Sequence, residues 1–134
     1  MVLVRKLRPA WQAGRVNALG GKLLPGESAA AAARREVREE AGVDVPEALW
    51  REVLVWRDPV YRMHVLSAFD DAANRANTAE DQEIFLAATD ELPPESIDNL
   101  RWLIPLALDR EVALPIEVRS AAAGGSGLTE PPRA

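Results

Sequence analysis

The sequence has no cysteine, one histidine and one tyrosine among 134 residues. Without cysteine, neither a disulfide framework nor a cysteine-ligated metal site can form, and this composition fits a cytoplasmic protein. No apolar run approaches the roughly 20 residues of a membrane-spanning helix, and the N-terminus lacks a secretory pattern. The chain has 16 lysines and arginines but 21 acidic residues, so its formal net charge is −5. We therefore expect no membrane partner and no stable binding to nucleic acid.

The composition is otherwise that of a soluble globular protein, with 48% hydrophobic and 28% charged residues. A chain of this length supports one domain with a real core, and we predict a single domain over residues 1–118. The final stretch, residues 119–134, is small, polar and ends near two prolines, so we predict a disordered tail there.

Hydrophobic periodicity and turn residues divide the domain into strands and helices. Pro105 should kink or restart the last helix. Strands before and after a helix, with a second helix at the end, predict an α/β (α+β) fold in which a mixed sheet is sandwiched between helices. The predicted strands cover residues 1–6, 49–56, 61–69 and 82–88, and the predicted helices cover residues 28–41 and 97–112.

The first predicted helix carries a concentration of negative charge. Ser28 is its expected N-cap and Gly42 its expected C-terminal stop. Because each helical residue advances by about 100°, Glu36, Glu39 and Glu40 share one face. We expect a neighbouring arc to be buried on the sheet, and this arc contains Ala30, Ala33, Val37 and Ala41.

Two interpretations of the acidic face are open from the residues alone. It is either a solvated face balanced by the arginines of the same helix, or a site for a hard cation such as Mg²⁺ or Mn²⁺. The preceding loop favours the cation site, because Gly20 and Gly21 allow close backbone approach and Gly21 could offer its carbonyl to the ion. Glu27 could also hold the loop to the helix through a charge-assisted hydrogen bond with Arg35.

Residues 21–43 resemble the Nudix box: Gly, five residues, Glu, seven residues, then Arg-Glu-aliphatic-any-Glu-Glu-any-Gly-aliphatic. The chain fills all nine fixed positions over 23 residues, which makes the resemblance specific. The matching residues are Gly21, Glu27, Arg35, Glu36, Val37, Glu39, Glu40, Gly42 and Val43.

The resemblance implies a Nudix-type fold and hydrolysis of a nucleoside diphosphate linked to another group, with Mg²⁺ or Mn²⁺ offsetting the phosphate charge. It implies that Glu36, Glu39 and Glu40 hold metal, and that one of them or a glutamate elsewhere deprotonates the attacking water. Glu27, Arg35 and Gly42 are implied to keep the box in shape. In the later stretch "DQEIFLAATDELP", Glu83 resembles the family glutamate that serves as an extra metal ligand or base, and Glu80 is the competing candidate.

Within the family, "WQAGRVNALGGK" resembles the branch that hydrolyses nucleoside triphosphates, including oxidised purine nucleotides. This likeness implies that Asn17 faces the base, and that Asp98 and Asn99 read the base edge at the start of the last helix. Asn99 stands where that branch has an acid. A turn role for Asn17 and a helix cap for Asp98 are the structural alternatives. Lys22 is assigned to substrate as well.

The aromatic residues and the histidine give weaker signals. Trp102 is predicted to lie in the core, whereas Trp11, in a loop, is the better candidate for stacking on a base. Trp50 and Trp56 are predicted to pack beside a strand. His64, in a strand pattern without a partner visible in the sequence, is predicted to have a structural role.

The family resemblance also indicates one departure. Family members normally carry a strand and a turn ahead of the stretch that matches residues 1–6, so either the usual first strand is missing or the start lies upstream of Met1. A hydrolase of nucleotide sugars, dinucleoside polyphosphates or RNA 5′ ends, and a non-catalytic nucleotide-binding regulator, are the alternative functions. The expected partner is a small nucleotide substrate, and a homodimer is an arrangement that the sequence leaves open.

Overall fold

The computed structural model describes residues 1–120. It contains two α-helices and six strands, which form two three-stranded sheets. The strands are β1 (Val2–Arg5), β2 (Val16–Asn17), β3 (Arg51–Arg57), β4 (Arg62–Ser67), β5 (Ile84–Leu86) and β6 (Ile116–Arg119), and the helices are α1 (Ala29–Ala41) and α2 (Leu100–Leu108). The predicted α+β class is confirmed, with the strands divided between two sheets.

The first sheet has β1 at its centre, with β2 and β5 antiparallel on its two sides. Leu3 and Val4 point to opposite faces of this sheet, as neighbours in a strand do, and both are fully buried. Val4 packs in a cluster with Ala41 of α1, whereas Leu3 packs with Leu100 of α2. The first sheet therefore lies between the two helices, as the predicted sandwich requires.

The second sheet has β3 at its centre, antiparallel to β4 and parallel to β6. Val53 and Leu54 are fully buried and pack with Leu103 of α2, which makes β3 the core strand of this sheet. The register of β3 and β4 shifts between Glu52 and Leu54, so β3 contains a bulge. The bulge changes which side chains of β3 share a face.

The sequence prediction missed β6, and it assigned Arg119 to the tail. Arg119 is the last residue of β6, and Trp56 Nε1 donates a hydrogen bond of 2.8 Å to Ser120 Oγ. The rest of the predicted tail, residues 121–134, lies outside the described residues. A short 3-10 helix, Asp71–Arg75, also lies between the predicted strands 61–69 and 82–88.

The helix predictions need three corrections. The buried residues of α1 are Ala32, Glu40 and Ala41, so the buried arc includes an acidic residue and leaves Ala30 and Ala33 only partly covered. The helix α2 is shorter than predicted and continues through Pro105 without a restart.

The third correction concerns Trp102, which is 44% exposed although we predicted a core position. The buried residues of α2 are Leu100 and Leu103, one turn apart on one face. Trp102 is rotated about 200° from Leu100 on the helix, which directs it away from that face.

Candidate functional site

The helix α1 begins and ends at the residues that the sequence predicted. Ser28 Oγ accepts a hydrogen bond of 3.0 Å from the Ala31 amide, which satisfies one free N–H of the first turn. Gly42 has a φ of 68°, a left-handed conformation that glycine adopts without steric cost, and its amide donates to the Arg38 carbonyl. Both caps fix the length of the helix and therefore the positions of its glutamates.

Arg35 holds the preceding loop to α1. Its Nε and Nη2 donate to the two carboxylate oxygens of Glu27 at 2.8 and 3.0 Å, and Nη2 also donates to the Lys22 carbonyl at 3.0 Å. The Leu24 amide donates to Glu27 Oε2 as well. The hydrogen bond from Arg35, followed by that from the Leu24 amide, holds the pKa of Glu27 below its usual range. The predicted contact between Glu27 and Arg35 is confirmed.

The same guanidinium contacts two of the three glutamates. Arg35 Nη1 donates to Glu36 Oε1 at 2.6 Å and lies 3.3 Å from Glu39 Oε2. The Glu36 side chain is 16% exposed and that of Glu39 is 47% exposed. Arg35 therefore offsets the repulsion between these two carboxylates and leaves Glu39 at the surface.

Glu40 is the buried member of the group, with 8% of its surface exposed. Its Oε2 is buried and has no hydrogen-bond partner within residues 1–120. Burial raises the pKa of Glu40 to about 7, the neighbouring Glu36 adds to this rise, and the charge of Lys6 opposes it. A buried carboxyl beside a second carboxylate favours a proton or a cation.

Gly21 lies directly against the Glu36 carboxylate. A Cβ atom built on Gly21 would be 2.2 Å from Glu36 Oε1 and 2.6 Å from Oε2, distances that real Cβ atoms essentially never show. Glycine is therefore required for this close approach, as the sequence predicted for the loop. At Gly20 a Cβ would meet nothing within 4 Å.

Comparison with known families identifies this segment. The family model described as NUDIX domain matches residues 1–115, which is most of the chain. The chain belongs to the Nudix family. It is accordingly a hydrolase that acts on pyrophosphate bonds. A comparison with curated proteins found no match.

The carboxylates of the Nudix box suit a hard cation in chemistry, but they are not gathered around one point. Among residues 1–120, no three His, Asp or Glu side chains form a cluster that could hold a metal ion. Glu36 and Glu40 are neighbours, and the unpartnered Oε2 of Glu40 is a ligand atom without a competing hydrogen bond. Glu36 and Glu40 could therefore hold a divalent ion together, and Glu39 and the Gly21 carbonyl stay predicted ligands.

Glu83, the other predicted base or ligand, points elsewhere. Its side chain is 62% exposed, and its carboxylate lies 3.4 Å from Arg5 Nε. The competing candidate, Glu80, follows Ala79, whose amide donates to the Glu40 carbonyl at 3.0 Å. The backbone at Glu80 is therefore tied to the end of the Nudix box helix.

Two segments predicted to contact the base lie side by side. Val16 pairs with Ser96 in a parallel bridge, which brings Asn17 next to the chain leading into Asp98 and Asn99. Asn17 lies in β2, and non-glycine residues with positive φ are absent among those described, so the structural alternative, a turn residue with an unusual φ, is wrong.

The polar groups in these segments are partly used within the chain. Asn17 Nδ2 donates to Gln12 Oε1, and Asn17 Oδ1 accepts from the Ala18 amide. Asp98 lies 3.8 Å from Arg15, and the N-cap position of α2 belongs to Asn99, not to Asp98. Asn99 Oδ1 is buried without a hydrogen-bond partner in residues 1–120.

Lys22, which was predicted to bind substrate, is exposed, and its backbone carbonyl accepts a hydrogen bond from Arg35. Trp50, by contrast, packs against the core as predicted, and its Nε1 donates to the Val45 carbonyl at 3.2 Å.

In the described part of the chain, neither helix combines the length and the apolar character needed to cross a membrane.

A small cavity of about 90 Å³ lies between α1 and β4. Glu36 and Gly21 form part of its wall, and Ala29 and Trp50 line it as well. The opposite wall includes His64 of β4, whose Nδ1 lies 2.6 Å from Glu52 Oε2. Sequence reasoning did not find this pair, because Glu52 and His64 lie on different strands and become neighbours only through the pairing of Glu52 with Leu66.

Proposed function

We propose that the protein is a divalent-metal-dependent hydrolase that cleaves the diphosphate linkage of a nucleoside triphosphate or a related nucleoside diphosphate derivative. With a triphosphate, the products are a nucleoside monophosphate and pyrophosphate. The observation that carries the proposal is the folded Nudix box, in which Arg35 ties Glu27 to α1 and holds Glu36 against Gly21 beside the buried Glu40.

The chemistry follows from positioning and charge. Mg²⁺ or Mn²⁺, when bound, neutralises charge that develops on the phosphate oxygens. Water attacks phosphorus, the bond from phosphorus to the bridging oxygen breaks, and the proton of the water goes to a carboxylate. Glu40 and Glu36 are proposed for ion binding and proton transfer, because burial gives Glu40 a raised pKa that suits a base near neutral pH.

The nucleoside end is proposed to lie near Asn17, Asp98 and Asn99. The bridge between Val16 and Ser96 brings the two segments that carry these residues together. This grouping supports the nucleoside triphosphate branch. Lys22, close to the box, is proposed to contact phosphate.

The glutamate roles are tested by replacing Glu39 or Glu40 with Gln. Turnover that depends on Mg²⁺ should fall by more than the roughly 10- to 100-fold that loss of an outer-shell metal partner typically costs. Glu83→Gln tests the remaining candidate base. Glu117→Gln is the matched control, because Glu117 lies on β6 and pairs with Arg57, in the second sheet. Unchanged turnover in Glu39→Gln and Glu40→Gln would exclude their assigned role.

A substrate panel with Mg²⁺ and Mn²⁺ separates the alternative functions. Turnover of one nucleoside triphosphate supports the proposal. Turnover of nucleotide sugars, dinucleoside polyphosphates or capped RNA instead supports the other hydrolases, and binding without turnover supports a regulator. A cytoplasmic location and a homodimer remain predictions, which fractionation and sedimentation would test.

A further inference from the structure

The cavity between α1 and β4 has two ionisable side chains among the described residues of its wall, Glu36 and His64. The rest of that wall is apolar or backbone, with Ala29, Trp50 and Leu66 among its members. Glu36 belongs to the Nudix box, so His64 shares this cavity with one glutamate of the box. An apolar lining around two such groups strengthens any electrostatic contact made between them.

The imidazole of His64 is held in one orientation. Its Nδ1 lies 2.6 Å from Glu52 Oε2, and because a carboxylate only accepts, Nδ1 carries the hydrogen. Glu52 pairs with Leu66, which lies two residues from His64 on the same face of β4, so Glu52 is a diagonal cross-strand neighbour of His64. A carboxylate that fixes a histidine in this way usually presents the other ring nitrogen for use.

Nε2 is the ring nitrogen left for a ligand. Within residues 1–120 it has no hydrogen-bond partner, although the His64 side chain is only 19% exposed. With both nitrogens protonated, the ring would donate one hydrogen bond to Glu52 and one to an anion in the cavity. The cavity, at about 90 Å³, is smaller than the roughly 150 Å³ cavity that accepts benzene, so a purine base does not fit. A phosphate oxygen is the anion that matches this size and charge.

We propose that His64 is a substrate-contacting residue whose Nε2 donates a hydrogen bond to a phosphate oxygen of the diphosphate held at Glu36, and that Glu52 is its positioning residue. The inference rests on the proposed function, since it assumes that a diphosphate binds at the Nudix box. It adds a hydrogen-bond contact from β4, on the wall of the cavity opposite Glu36.

The experiment uses the fact that His64 is the only histidine in the chain. Its ring resonances in a ¹H–¹⁵N spectrum are followed in the full chain during titration with Mg²⁺ alone, and then with Mg²⁺ and an α,β-methylene nucleoside triphosphate, while ³¹P spectra report binding of the analogue. We expect the Nε2 and Hε1 shifts of His64 to change with the analogue and to saturate together with the ³¹P signal. Mg²⁺ alone should leave them nearly unmoved.

Variants supply a second measurement. His64→Asn can keep a donor towards Glu52 but lacks the Nε2 position, so kcat/KM should fall by roughly 10- to 100-fold, mainly through KM. His64→Gln, which places an amide nitrogen near the Nε2 position, should recover part of that loss. Glu52→Gln should raise KM less than His64→Asn, and Glu117→Gln is the control carboxylate outside the cavity.

The outcomes separate the inference from the proposed function. If ³¹P spectra show binding while the His64 resonances stay fixed, or if His64→Asn keeps the wild-type KM, the inference is wrong and the proposed function stands. If the analogue does not bind and the substrate panel shows no turnover, both are wrong.

Discussion

Gly21→Ala is the substitution for which the structure gives the sharpest expectation. A methyl group at residue 21 would meet Glu36 Oε1 at 2.2 Å, whereas ordinary contact begins at 3.4 Å, so the carboxylate must retreat by about 1.2 Å. The obstacle is the far end of a flexible side chain, and the φ of Gly21 is outside the left-handed region. The backbone should therefore accept alanine, and the damage should fall on the position of Glu36.

The size of the expected loss in kcat/KM follows from how strongly the reaction rate depends on the position of the reacting groups. A misplacement of about 1 Å can cost on the order of 100-fold in rate, which corresponds to roughly 2.7 kcal/mol of transition-state stabilisation. We expect Gly21→Ala to lower kcat/KM with Mg²⁺ by about this factor, while the melting temperature changes by only a few degrees.

Gly20→Ala is the matched control, because a Cβ at the neighbouring glycine meets nothing within 4 Å. Steady-state kinetics on the best substrate of the panel should keep this variant within roughly threefold of the wild type. If Gly21→Ala is as active as Gly20→Ala, the close packing of Gly21 on Glu36 is not what positions the carboxylate, and the reasoning fails.

Three further predictions test residues that hold the site in shape or determine its charge. Arg35→Lys should lower kcat/KM by roughly 10- to 100-fold because lysine cannot make the forked contacts of arginine, whereas Arg34→Lys, which alters a similar forked pair outside the site, should change it little. Gly42→Ala should destabilise the fold by about 1 kcal/mol in urea denaturation, since Gly42 has a φ of 68°. An unchanged denaturation midpoint would contradict the role of Gly42 as the C-cap of α1. Without metal, the free energy of unfolding should fall as the pH rises from about 4.5 to about 7, because the folded state retains the Glu40 proton over that range and the unfolded state releases it. Glu40→Gln should flatten this pH dependence in thermal scans. Mg²⁺ should raise the melting temperature of the wild type most at pH 8.

The parts of the site that the sequence predicted correctly are local in the chain. Ser28 and Gly42 were identifiable because capping depends on one side chain or one φ next to the helix. The contact between Glu27 and Arg35 spans eight residues and joins a loop to the helix that follows it directly. In each case the chain itself brings the partners together, so spacing is enough to predict them.

The parts that the sequence did not predict depend on strand pairing. The parallel partner of β3, Ile116–Arg119, was missed because a four-residue strand gives little periodicity and its partner is far away in the chain. The contact of Glu52 with His64 depends on the register between β3 and β4, and a change of register by one residue exchanges the faces of a strand. The pairing of Glu83 with Arg5 is equally a product of the β1–β5 register.

The distribution of charge around Arg35 explains why the crowded carboxylates of α1 have different environments. One guanidinium contacts Glu27, Glu36 and Glu39, so the repulsion that their spacing predicts is offset within the chain for those three. Glu40 lies beyond its reach, on the buried side of the helix, and is the glutamate of the box with a raised pKa. A buried carboxylate that forms no ion pair within residues 1–120 is the one for which an external cation gives the largest gain, since burying an unpaired charge costs far more than solvating one at the surface. Exposed Glu39 can therefore contribute to ion binding, but the energetic demand for the ion comes from Glu40 and its neighbour Glu36.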